Sequence, residues 1–190
     1  MQQNNSGDGV LDIPPGTKLK LEESAAVEEL FSNLVDEAAE LRGDTTPTRI
    51  TLRNSIGRYL EWAGADIAYE AAIPTEEYRS PAKIFDIIAN EDDWLRIVEI
   101  KDTISSHELD DMQNLLPQLR TSGVEGKIYL ATDIFNGFDL VSGRLRDTVI
   151  RLMSEEDMGV ILADELIVVI CDNYDQLMMD DMPTILFGLG

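Results

Sequence analysis

Asp86, Glu99 and Lys101 are the residues whose types and spacing could do chemistry. They lie in two short runs, Ile84–Asn90 and Trp94–Lys101, with Asp92-Asp93 between them. Two carboxylates and an ammonium gathered on one patch of an apolar ribbon could hold a divalent cation. Magnesium takes oxygen ligands and keeps several of its waters, so two carboxylates suffice. Such an ion acts as a Lewis acid and lowers the pKa of its water, which is what phosphodiester hydrolysis needs near neutral pH. Lys101 beside it would orient the attacking water or stabilise the transition state electrostatically. As a base it would have to titrate well below its free value near ~10.4.

The convergence depends on how the two runs pair. Both are rich in β-branched and aromatic residues and too brief for an ordinary helix, and Asp92-Asp93 is turn chemistry, so they read as a β-hairpin. With a two-residue loop Glu91 faces Trp94, and counting back puts Asp86 opposite Glu99. Opposed residues share a face and side chains alternate with period two, so Lys101 joins them. A three-residue turn would slip the register by one and send Asp86 to the other face.

The surrounding elements are read from periodicity and punctuation. Residues 1–20 are a flexible leader, whose first fifteen residues are polar, rich in Gly and Asn and end in Pro14-Pro15. Glu22–Leu41 is an amphipathic helix with Val27, Leu30, Phe31, Leu34, Ala38 and Leu41 on one face. A second helix starts at Thr45-Thr46-Pro47, with proline in its first turn, carries Leu52, Ile56, Leu60 and Ala63, and stops at Gly64. Arg49, Arg53 and Arg58 lie off that stripe, either as surface charge or as phosphate contacts. Ile67–Ile73 is a strand, and 74–81 a loop into the hairpin. Ser105 and Glu108 form a capping box for a helix through Leu119, which Pro117 is expected to kink or shorten. A strand over Lys127–Thr132 follows, then a helix capped by Ser142, then strands over Gly159–Ala163 and Leu166–Cys171. The expected architecture is one α/β domain over 21–171, a mixed central sheet flanked by helices, with an acidic and apolar tail at 172–190.

Phe85-Asp86 on one strand and Glu99-Ile100-Lys101 on the next, in that element order, resemble the PD-(D/E)XK nuclease superfamily, which includes many restriction enzymes and Holliday-junction resolvases. The resemblance covers about Pro47–Cys171. It implies a restriction endonuclease-like core and Mg²⁺-dependent (or Mn²⁺-dependent) hydrolysis of DNA phosphodiester bonds. It also implies Asp86, Glu99 and the Ile100 carbonyl as metal ligands, with Lys101 assisting the water. Gln113 is the position carried across as a further site residue, from the helix after the lysine. Two departures stand out. The proline that often precedes the family's aspartate is absent, and the acid from the first core helix has only Glu61, near that helix's end, or Glu70 on the following strand. The alternative is a catalytically silent protein of the same fold acting as an acidic protein-interaction module.

Composition pulls against a nucleic-acid partner. The 190 residues carry 15 Lys+Arg against 37 Asp+Glu, a net charge of −22 and a pI of about 4.1, whereas phosphate binding calls for a basic footprint. The acid is a solvated surface suited to high salt, or is spread away from a local basic groove, or marks a protein that binds no DNA. A homodimer and a protein partner on the apolar tail are the other expected partners. No apolar run reaches a membrane span and no basic-then-apolar leader opens the chain, so no membrane contact is expected. Cys171 is the single cysteine, which points to a reduced, cytoplasmic setting and reads as a buried inert thiol. His107 is the single histidine, which excludes a histidine-rich metal site.

Overall fold

Seven strands in sequential order, β1 to β7, form one mixed sheet in a computed structural model that describes residues 36, 47–73, 83–121, 123–137, 145–154, 158–178 and 180–187. The expected leader, all but Asp36 of the helix over 22–41, the loop over 74–81 and the Ser142 cap lie outside the described residues. The elements are α1 (Arg49–Trp62), β1 (Asp66–Ala72), β2 (Ile84–Glu91), β3 (Trp94–Ile100), α2 (Ser106–Thr121), β4 (Gly126–Asp133), α3 (Arg146–Ser154), β5 (Met158–Ala163), β6 (Ile167–Cys171), α4 (Tyr174–Leu177) and β7 (Thr184–Phe187). The sheet is antiparallel from β1 to β3, parallel from β3 to β5, and antiparallel again to β7.

The two parallel steps explain the layering. Right-handed crossovers that step in the same direction across a sheet place both connecting helices on one face. Accordingly Leu109, Met112, Leu116 and Leu119 of α2 and Val149, Leu152 and Met153 of α3 share a core with Ile97, Leu130, Val160 and Leu162. The opposite face is covered by α1, whose Leu52, Ile56, Tyr59 and Leu60 pack on Ile87, Ala89, Val98, Ile100 and Ala131. The expected mixed sheet flanked by helices is the one observed.

The hairpin closes as the turn residues demand. Glu91 pairs with Trp94 across Asp92-Asp93, and both aspartates have positive φ, 49° and 70°. That is the conformation of a two-residue turn whose twist matches its flanking strands. The ladder runs from Glu91↔Trp94 to Ile87↔Val98, in the register expected of a two-residue loop, and stops before Asp86.

Three expectations are corrected. Helix α1 begins at Arg49, with Thr48 as its N-cap accepting from the Thr51 N–H, so Pro47 precedes the cap instead of occupying the first turn. Helix α2 continues through Pro117 to Thr121. A proline there leaves the Gln113 carbonyl without its donor, but the stripe Leu109, Met112, Leu116 and Leu119 stays buried across it. Gln118 Nε2 also donates to the next carbonyl, Asn114 O, at 3.2 Å. Packing on the sheet therefore outweighs the break. Finally, residues drawn as a tail are part of the domain: β7 pairs with β6, and Ile185 and Leu186 are buried in its core.

Candidate functional site

A row of three acids crosses the sheet edge near the carboxyl end of β3: Glu70 on β1, Asp86 on β2 and Glu99 on β3. The register on either side places Glu70 opposite Asp86, between the pairs Tyr69↔Ile87 and Ala71↔Phe85. Glu70 is held at positive φ, 47°, which is uncommon outside glycine. Alternation also breaks on β2 at this row. Phe85 packs with Ile97 on the α2 face while Ile87 packs with Val98 on the α1 face. A strict period of two would have put Phe85 and Ile87 together. Phe85, Asp86 and Ile87 are consequently buried in succession.

Asp86 sits at that twist and replaces a rung of the ladder. Its Oδ2 accepts the Ile100 N–H at 2.8 Å, the donor that the hairpin register would give to the Phe85 carbonyl. Its Oδ1 accepts twice from Arg49, from Nε at 3.0 Å and NH2 at 2.7 Å. The carboxylate is only 6% exposed, and the partners answer the cost of burying it. The Arg49 guanidinium is pushed further up by its hydrogen bond to Asp86 and then by the charges of Asp86, Glu99 and Asp102, against the opposing effect of its own burial.

Glu99 has a different set of neighbours. Its Oε1 lies 3.1 Å from Lys101 Nζ and 3.6 Å from Lys83 Nζ. Lys83 also lies 5.4 Å from the centre of the Phe85 ring. The other oxygen, Oε2, is buried with no hydrogen-bond partner. An unsatisfied buried carboxylate oxygen is unfavourable, and it is a hard oxygen donor of the type that a divalent cation takes. A strand residue points its own N–H and C=O to the same side, so the Ile100 carbonyl faces the side on which its N–H meets Asp86.

Glu99 and Lys101 therefore stand together, and the backbone of Ile100 joins Asp86. The two carboxylates are held from opposite directions, Asp86 by α1 and Glu99 by lysines. Gln113 does not join them: its Oε1 accepts from Arg151 NH2 at 2.9 Å, across the contact between α2 and α3. Of the two candidates for the missing acid, Glu61 lies twelve residues beyond Arg49 on α1, about 18 Å along the axis at the usual helical rise. Glu70 lies in the row itself and binds Arg53 NH1 at 2.5 Å. His107 is 81% exposed near Asp111 and takes no part. Among the described residues no group of three or more His, Cys, Asp or Glu side chains forms a ready metal cluster.

Sequence reasoning singled out Arg49 and Arg53 as surface charge or phosphate contacts but missed their pairing with the acids. Arg49 and Arg53 are one helical turn apart on α1 and reach Asp86 and Glu70 in parallel. Their spacing was visible as i, i+4 on the face off the apolar stripe, but nothing local tied them to β1 and β2. With Lys83 and Lys101 they set four basic side chains among Glu70, Asp86 and Glu99, and Asp102 and Asp133 lie beside Arg49 on its other cavity. Two cavities open here on either side of Arg49. One of about 530 Å³ is lined by Arg49, Arg53, Glu70, Ile84 and Asp86, and one of about 260 Å³ by Thr48, Arg49, Asp102 and Asp133. The second lies at the carboxyl ends of parallel strands, where ligands bind in open α/β sheets.

No helix among the described residues is long and apolar enough to cross a membrane. No protein-family model and no curated protein matches the chain. Among solved structures it is similar to an XisH family protein from Nostoc punctiforme, at 17% identity and a TM-score of 0.43, over 60% of this chain and 91% of that one.

Proposed function

We propose that this chain is a metal-dependent nuclease of the PD-(D/E)XK kind, hydrolysing phosphodiester bonds in DNA. The observation that carries the reading is Glu99: a buried carboxylate with one oxygen beside Lys101 and the other unpartnered. Asp86, Glu99 and the Ile100 carbonyl would hold Mg²⁺ or Mn²⁺, and these are the hard oxygen donors that such ions take. When bound, the ion supplies Lewis acidity and an acidified water.

The chain's own residues do the rest. Lys101, held 3.1 Å from Glu99, presents an ammonium where a water or a phosphoryl oxygen carries negative charge. Arg49 and Arg53 line the larger cavity, where a phosphate entering it would meet them. Arginine is suited to phosphate because its planar fork gives two parallel donors. Glu70 occupies the sheet row where an additional acid could support the site.

A second reading, a silent acidic module of the same fold, is favoured by one observation. Both oxygens of Asp86 already have protein partners. Incubating supercoiled and linear DNA with the protein and Mg²⁺ or Mn²⁺ separates the two. Cleavage by the wild type, lost in Glu99→Gln and Lys101→Ala with melting curves unchanged, is the expected result. No cleavage of any DNA form, or equal cleavage in wild type and variants, favours the silent module.

A further inference from the structure

Arg49 stands where helix physics opposes it. It is the first residue of α1, in a first turn that contains no acid, and the helix dipole disfavours a cation at that end. The position is therefore explained by what the guanidinium reaches. Its side chain is 53% exposed, yet it covers a carboxylate that is 6% exposed. Both of its bonded nitrogens converge on the single oxygen Oδ1, because Oδ2 is taken by Ile100. It also walls both the 530 Å³ and the 260 Å³ cavity, so it has space to leave in either direction.

A buried carboxylate needs a compensating charge. Resting on the metal reading above, we infer that Arg49 is the resident counter-ion of Asp86 and that Arg49 and a divalent cation exclude each other from Oδ1. In the metal-free protein the guanidinium holds α1 against the end of β2. When an ion takes Oδ1 with Glu99, the guanidinium is displaced into the adjoining cavity. Two ligands that exclude each other weaken one another by the same factor, so Arg49 sets a ceiling on metal affinity. Arg53 does not substitute for it, because its hydrogen bond is to Glu70, which is 70% exposed.

The test is calorimetric titration of the full chain with Mn²⁺, comparing wild type, Arg49→Gln, Arg49→Lys, and each of these with Glu99→Gln. Arg49→Gln should bind Mn²⁺ about fivefold more tightly or better, the low end of ordinary coupling between sites. Arg49→Lys, which keeps the charge but loses the fork, should fall between it and wild type and guards against a misfolded variant. Glu99→Gln should abolish binding in every background. If binding depends on Glu99 but Arg49→Gln leaves it unchanged or weaker, the exchange is wrong and the metal reading stands. If no variant shows Glu99-dependent Mn²⁺ binding, the metal reading fails and the exchange fails with it.

Discussion

The Ile100 N–H donates to Asp86 Oδ2 at 2.8 Å in the place where the hairpin would otherwise continue its backbone ladder. A side chain has intercepted a rung, so the end of β2 and the position of the carboxylate are fixed together. Removing it strands a buried donor, which costs about 1–3 kcal/mol. Asp86→Ala should lose that much stability by urea denaturation. Asp86→Asn keeps an oxygen for Ile100 but loses the charge that holds Arg49, and should lose distinctly less. Equal losses in the two variants would contradict the interception.

The turn fixes the register on which the site depends. Asp92 and Asp93 both have positive φ, a conformation that L-residues adopt at a cost of roughly 1–2 kcal/mol. Asp93→Gly should raise the melting temperature by removing part of that cost. Asp93→Val, β-branched at the same φ, should lower it. A register slip in the valine variant would also turn Asp86 away from Glu99, and cross-strand nuclear Overhauser effects between β2 and β3 would show it.

Gly57 of α1 faces the Tyr69 ring of β1. A Cβ there would lie 2.2 Å from the Tyr69 hydroxyl oxygen and within 2.7 Å of two ring carbons. Gly57→Ala should cost about 1–3 kcal/mol by overpacking. It should also loosen Arg53 from Glu70, since Tyr69 and Glu70 are neighbours on β1. Full stability in this variant would mean that the tyrosine ring swings aside freely.

Glu108 gives a pH-dependent prediction. Its carboxyl is held below the usual range, first by the hydrogen bond from Ser105, and it also accepts the Ser105 N–H at 2.9 Å. A carboxylate depressed in the folded state adds stability above its unfolded pKa and loses it as pH falls through the folded value. Wild type should therefore melt above Glu108→Ala at pH 7. The gap should narrow below about pH 4, near the free carboxylate value. A gap that is constant with pH would assign the effect to packing.

Much of this site was readable because hairpins and caps are local. The two runs Ile84–Asn90 and Trp94–Lys101, joined by two turn residues, determined the hairpin register from Glu91↔Trp94 to Ile87↔Val98, but not the break in alternation that leaves Phe85 and Ile87 in different cores. The Ser105–Glu108 box was equally local. What stayed hidden is long-range. Arg49 meets Asp86 across 37 residues, a contact set by how α1 crosses the sheet and not by any short pattern. Gln113 turned to Arg151 on another helix for the same reason. Pro117 did not shorten α2, because the buried stripe continues across it. The final strand was concealed by its short length and acidic approach.

Diffraction from crystals soaked in Mn²⁺, collected at the manganese absorption edge, tests the central claim most directly. An anomalous peak within coordination distance of Asp86, Glu99 and the Ile100 carbonyl is the expected result. Peaks confined to other surface acids at saturating Mn²⁺, with Glu99 Oε2 still unpartnered, would contradict it.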